Sequence, residues 1–223
     1  DPASVLSFPD NAEIDAFLTF ETSKPNAETR AAAADARAVT LVLHHSFVRL
    51  PDDGYEPRAF DQRTANIGLG FHDFSAPLGD PIVTRLSQRF RLEKTDPSAA
   101  VSPVKKPIVF YIDNGAPAEI RDALIEGAGW WAAGFEAAGF KDAYRVEVLP
   151  EDAHPLDVRY NVINWVHRQT RGWSYGQSVT DPRTGEIRRF LTGPKGQEIT
   201  GVVTTPDQRT MFVDIQHPGE SPS

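Results

Sequence analysis

The side chains that chemistry would need are few in this 223-residue chain: six histidines, no cysteine, and acidic residues spread along its length. His44 and His45 are neighbours, so on a strand they point to opposite faces and do not readily chelate one ion together; one buried and one exposed ring is the expectation. His72 beside Asp73, His154 near Asp157, and His167 stand without a partner at ligand spacing. No HExxH, HxH or DxDxDG pattern occurs. A GxSxG elbow, a phosphate-binding GxxxxGKS/T loop and a GxGxxG turn ahead of a helix are equally absent, and Gly68-Leu69-Gly70 is too short to count. Without cysteine there are no disulfides, thiolate nucleophiles or Cys-ligated zinc. Motif chemistry therefore assigns no catalytic residue and no metal ligand.

Composition narrows the classes further. The net charge is −8, and the lysines and arginines are scattered, which argues against a nucleic-acid footprint. No run approaches the roughly 18 apolar residues that span a bilayer. The opening DPASVLSFPD has neither a basic nor an apolar region, so any signal peptide is expected to have been removed from this stretch. With 40% hydrophobic residues, the chain has material for one large domain or two smaller ones.

The elements that must position any site centre on residues 117–139. Ile120, Leu124, Ala128, Trp131 and Phe135 form an apolar stripe opposite Glu119, Arg121, Asp122, Glu126 and Glu136, which predicts an amphipathic helix. Pro117 suits its first turn and Gly139 the left-handed position past its end. Strands are expected at 107–113, 144–149 and 158–167, giving a βαβ unit. Upstream, 16–21, 38–50, 67–74 and 82–92 read as strands, with a short helix or mobile loop over 22–37. Residues 95–106, rich in Pro, Ser and Lys, read as a linker. The Asp181-Pro182-Arg183-Thr184-Gly185 stretch has the composition of a surface turn.

From Pro107 onward, KPIVFYID, the helix with Trp130-Trp131 and FEAAGF, DVRYNVINWVHR and TRGWSYGQSVTDPRTGEI closely resemble the first half of the catalytic domain of bacterial zinc-dependent metalloproteases of metzincin type. LHHSFVRLPDDGYEPRAFD and RLEKTDPSAAVSPVKKPI resemble the β-rich region ahead of it, so the resemblance covers residues 1–187. It implies a twisted mixed sheet with one long packed helix, and an edge strand over 172–187 that lines a substrate cleft. Trp173, Ser174, Tyr175, Gly176 and Ser178 are the substrate-binding residues it implies, with Trp173 and Tyr175 as cleft walls or core-facing side chains. An exposed strand edge can pair with an extended peptide through its main chain. The HExxHxxGxxH helix that would grip zinc and activate water is absent from this chain, so zinc belongs to the parent family and none is expected here.

Residues 189–223 (RFLTGPKGQEITGVVTTPDQRTMFVDIQHPGESPS) instead resemble the C-terminal part of PhoX-type alkaline phosphatases, which are β-propeller enzymes with calcium and iron. Strand, turn and strand follow one another, the outline of a hairpin, and Glu198, His217 and Glu220 are its polar candidates for a site. Such a hairpin needs a sheet to join, and the sheet left open by the missing zinc helix is the expected host. The expected fold is α+β: a β-rich region at 1–102, a half-metzincin sheet and helix at 103–188, and a hairpin tail at 189–223. Three functions are in view: the non-catalytic half of a zinc metallopeptidase, inactive as given; a peptide-binding scaffold using an exposed sheet edge; and a fragment of a PhoX-like phosphatase. The peptidase resemblance implies a periplasmic or secreted location.

Overall fold

A computed structural model describes residues 1–52, 54–64, 66–166, 176–191, 198–204 and 210–216. In chain order, a 3-10 turn at Pro2–Ser4 leads into β1 (Leu6–Ser7), β2 (Asn11–Glu21), α1 (Ala27–Ala32) and β3 (Ala38–Arg49). β4 (Gly68–His72), β5 (Val83–Ser87), β6 (Ser102–Pro103) and β7 (Ile108–Ile112) precede α2 (Ala118–Gly129) and α3 (Trp131–Ala137). β8 (Phe140–Lys141), β9 (Tyr144–Val148), β10 (Asn161–Ile163), β11 (Gln177–Thr180), β12 (Ile187–Leu191), β13 (Glu198–Thr204) and β14 (Thr210–Gln216) complete the chain. The fold is thus α+β and strand-rich, with one main helical segment.

Two compact units divide the chain, one of residues 1–49 with 193–223 and one of residues 50–192; domain boundaries were expected near 102 and 188. The first unit is a five-stranded sheet in the order β1-β2-β3-β14-β13. Its spine is the ribbon of β2 and β3, paired without a slip from Asn11↔Val48 to Glu21↔Ala38. β14 runs antiparallel to β3, from Thr210↔Arg49 to Asp214↔His45. The C-terminal hairpin therefore joins the N-terminal sheet, not the helix-bearing sheet that was expected to host it. β14 takes the edge of β3 that faces away from β2, over residues 45–49.

In the second unit β7 is flanked by β10 and β9, all parallel. β7, α2–α3 and β9 make the expected βαβ unit. Gly139 takes φ +83° just past the helix, as its place predicted. Phe135 stacks on Tyr144 at 5.5 Å, and Tyr144 meets Phe110 at 5.7 Å, which fixes the helix against the sheet. Trp131 departs from the expected apolar stripe. The helix is interrupted at Trp130, and the two rings stand 73% and 69% exposed.

Two strands are shorter than their apolar runs suggested. β10 begins only at Asn161 because Asp157 opens a turn, with the Tyr160 amide donating to its carbonyl at 3.1 Å. β5 ends at Ser87 because Arg89 leaves the ladder to exchange bonds with Gly185 and Ile187. Residues 95–106, expected as a linker, fold back on themselves: the Thr95 amide donates to Pro103, Ser102 Oγ accepts from the Asp96 amide, and β6 pairs with β8.

Candidate functional site

The substrate-binding segment expected at 172–187 is a hairpin in the structure. β11 pairs antiparallel with β12 through Gln177↔Leu191, Ser178↔Phe190, Val179↔Arg189 and Thr180↔Ile187. It is not a strand of the β10-β7-β9 sheet, because the chain reverses at Asp181. Gly176 is exposed and precedes the strand. Ser178 Oγ donates to Gln88 Oε1 at 2.9 Å and lies 3.2 Å from Thr180 Oγ1. Val179 and Thr180 are buried, so both faces of β11 are anchored. Among the described residues no strand pairs with its other edge. Trp173, Ser174 and Tyr175 lie outside the described residues.

The turn that closes this hairpin was expected at the surface, yet Asp181 is 0% exposed. Burial is tolerated because both carboxylate oxygens have a donor. Asp181 Oδ1 accepts from the Arg183 amide at 2.8 Å, and the Arg183 guanidinium clasps the same carboxylate at 3.2 and 3.0 Å. Gly185, at φ +77°, donates to the Asp181 carbonyl at 2.8 Å, and a Cβ there would stand 2.6 Å from the Ser87 carbonyl oxygen. Next in sequence, Glu186 takes Arg91 in a two-point bond at 3.0 and 2.8 Å. Arg91 and Arg89 both lie over the Tyr55 ring, at 5.5 and 4.7 Å. Burial pushes the Tyr55 hydroxyl pKa above its ordinary value.

The same local device recurs at Asp157-Val158-Arg159. There the Arg159 amide and Nε both reach Asp157 Oδ1 at 3.0 Å. Burial pushes the Asp157 carboxyl up, but the Arg159 bonds outweigh it and hold the group below its usual range. Asp61 and Arg63 repeat the arrangement at the surface. An Asp-x-Arg spacing is thus the sequence signal for these clasps, and it went unread. Chemically they make rigid, charge-compensated corners for β10 and β11.

A second cluster, also missed, sits on the first unit's ribbon. Register places Glu13 opposite Ser46 and Asp15 opposite His44 on one face. Glu13 is 3% exposed. It accepts from Ser46 Oγ at 2.7 Å and from Asn11 Nδ2. His44 Nε2 lies 2.7 Å from Glu13 Oε2 and its Nδ1 2.7 Å from Asp15 Oδ1. A neutral imidazole has one N–H, so bonding both carboxylates requires the doubly protonated ring. Its pKa is accordingly raised, chiefly by the Glu13 bond and then by Asp15, against the opposing effect of burial. The expected burial contrast between His44 and His45 is absent, since both are half-buried.

The sign of the pH effect follows from that rise. Below the unfolded value of 6.5 both states carry the proton and the clamp contributes fully; as pH rises through the higher folded value the contribution is lost. The first unit should be more stable at pH 6 than at pH 8.5, by about 1.4 kcal/mol for each unit of upward shift. Urea unfolding at the two pH values checks this, and His44→Gln should abolish the difference.

Among the described residues no group of three His, Asp or Glu side chains is placed to hold a metal ion. His154 Nδ1 accepts from the Leu156 amide at 3.1 Å, and the His72 ring stacks with Phe74 at 6.0 Å. His167, His217, Glu220 and the Glu198 side chain lie outside the described residues. No helix of the described residues is long and apolar enough to cross a membrane.

The geometry thus defines a strand-rich α+β chain with a buried salt-linked corner behind a short hairpin. Two family models match parts of it. A domain of unknown function (DUF5117) matches residues 1–95, and alkaline phosphatase PhoX matches residues 161–219. The second match runs from β10 through β14, and so begins well before the segment whose sequence resembled that family. Neither spans half of the chain, and neither description names a metalloprotease. No curated protein and no solved structure matches the chain.

Proposed function

We propose that this chain is a peptide-binding module, kin to the non-catalytic half of zinc metallopeptidases, that holds an extended segment along β11 without cleaving it. The observation that supports this reading is the edge of β11: the strand is hydrogen-bonded to β12 on one side, and no described strand pairs with the other. Edge pairing of this kind is sequence-tolerant, because the main chain supplies the bonds. The clasped Asp181 and Glu186 hold the strand rigid before a peptide arrives, which lowers the ordering cost of binding.

Alternation along an antiparallel ladder decides which residue carries the contact. The Asp181 amide points to β12, donating to the Glu186 carbonyl at 2.8 Å, so Ser178 and Thr180 point their main-chain groups outward. Ser178→Pro removes an outward donor and leaves the β12 ladder intact. It should weaken binding of a fluorescein-labelled peptide pool from reduced, carboxymethylated casein by about fivefold, the worth of one hydrogen bond. Ser178→Ala, which loses the side-chain contacts with Gln88 and Thr180 but keeps every main-chain group, should bind normally. Equal affinity in Ser178→Pro and the parent chain would contradict the proposal.

A second reading is favoured by the match over residues 161–219: this part descends from a PhoX-type phosphatase. It predicts hydrolysis of p-nitrophenyl phosphate in the presence of calcium and iron, at a rate above that of the metal ions alone.

A further inference from the structure

The helical segment of the second unit turns one face to water. Glu119, Asp122, Glu126 and Trp130 follow one another at steps of three and four residues, so they form one line along α2 and its end, and all four are exposed. Gly127 lies beside that line, and Trp131 and Gly134 carry it on along α3, again exposed.

Three features of this face are unfavourable in isolation. Like charges at those spacings repel along a helix. Among the described residues the one ion pair of these carboxylates is Asp122 with Arg121, at 3.9 Å. Glycine inside a helix is less stable than alanine, yet a Cβ at Gly127 or Gly134 would meet nothing within 4 Å, so packing within the chain requires neither glycine. The Trp130 and Trp131 rings stand 73% and 69% exposed, although large aromatic side chains are those whose burial contributes most. Local choices that run against the fold are expected where a surface serves something other than the fold.

The same features become favourable together against one kind of occupant. An ammonium or guanidinium group over an indole face is attracted to the ring. The row of Glu119, Asp122 and Glu126, ending at Trp130, complements a row of cations and repels an anionic segment or a second copy of the same face. Glycine at 127 and 134 lets apolar groups approach the helix backbone closely between the charged row and the rings.

We propose that this face docks a basic amphipathic helix of a partner protein. Its lysines or arginines lie along Glu119, Asp122 and Glu126 and over the indoles, and its apolar side chains rest on Gly127, Gly134 and the two rings. The contact is independent of the β11 edge, since it uses none of its residues.

The probe is a fluorescein-labelled helical peptide of leucine and lysine at amphipathic spacing, about 15 residues long so that it can hold a helix. Fluorescence anisotropy at low salt, with the full chain as titrant, should show it bound, and the same peptide with glutamate for lysine unbound. Trp130→Ser, a change at an exposed ring, should weaken binding about tenfold. Glu126→Lys sets a cation against the peptide's own and should weaken it at least as much. Gly127→Gln keeps good helix propensity, so the thermal midpoint should hold or rise, while its side chain fills the space of approach and weakens binding about fivefold. Glu28→Lys makes the same change of charge at an exposed position on α1, in the other unit, and should bind as the parent does. A lysine peptide that does not bind overturns the proposal, as does a glutamate peptide that binds equally or a Trp130→Ser chain with the parent's affinity. Equal weakening by Glu28→Lys and Glu126→Lys would reduce the effect to net charge and overturn it too. A parent dimer in light scattering that Trp130→Ser disperses, or attachment to phosphatidylcholine vesicles that needs Trp130, would name another occupant and equally overturn it.

Discussion

Asp181→Ala should destabilise the unit of residues 50–192 by about 3–5 kcal/mol, the usual consequence of removing one partner of a buried ion pair. Asp181 is wholly buried, and its carboxylate accepts from both the Arg183 amide and the Arg183 guanidinium. Alanine takes the Asp181 counter-charge from that guanidinium, which also donates to the Pro51 carbonyl at 3.2 Å. The turn also sets the start of β12, so the loss reaches the Arg91–Glu186 bond next along the chain. Asp181→Asn keeps an acceptor for the Arg183 amide and should cost roughly half as much, since a neutral bond replaces a charge-assisted one. Urea denaturation followed by Trp fluorescence measures both. A loss under about 1 kcal/mol in Asp181→Ala would mean that the corner is not built on this carboxylate.

Gly139→Ala should be nearly as damaging, for a different reason. At φ +83° an L-residue carries a strain of about 1–2 kcal/mol. In addition, the new Cβ would be driven into the Ala100 carbonyl oxygen, which already accepts from Lys94 Nζ at 2.7 Å. Relieving that overlap costs about 1–3 kcal/mol more and pulls on the bond from the Ser102 amide to the Gly139 carbonyl. A total near 3 kcal/mol is expected by thermal unfolding. Gly139→Asn separates the two contributions, because Asn accepts the left-handed conformation readily while its Cβ meets the same carbonyl. If Gly139→Asn equals the parent, strain alone accounts for the effect.

Local patterns made part of this architecture readable. The βαβ unit followed from an apolar run, a helical period and a second run, with Pro117 and Gly139 marking the helix limits. The long β3 was equally plain from its β-branched sequence. What stayed hidden depends on pairings distant in sequence. Nothing in residues 198–216 says that β14 will lie against β3, since a hairpin's host is chosen by which edge is open in three dimensions. Trp131 has the spacing of a core residue, but position 131 falls at the break between two helices and points elsewhere. The buried Asp181 was mistaken for a surface turn because composition reports turn chemistry and not depth. His44 lies 29 residues from Asp15 and 31 from Glu13, and only the register of β2 with β3 brings its ring within 2.7 Å of both. The peptidase resemblance rested on phrases of sequence, and neither matched family description supports it; its edge strand became the hairpin of β11 and β12.

Amide hydrogen exchange on the full chain, with and without the carboxymethylated casein peptides, tests the peptide-binding account most directly. Slowed exchange at Ser178 and Thr180, with the peptides recovered intact, is the predicted result. Unchanged exchange at these two amides under saturating peptide would contradict it.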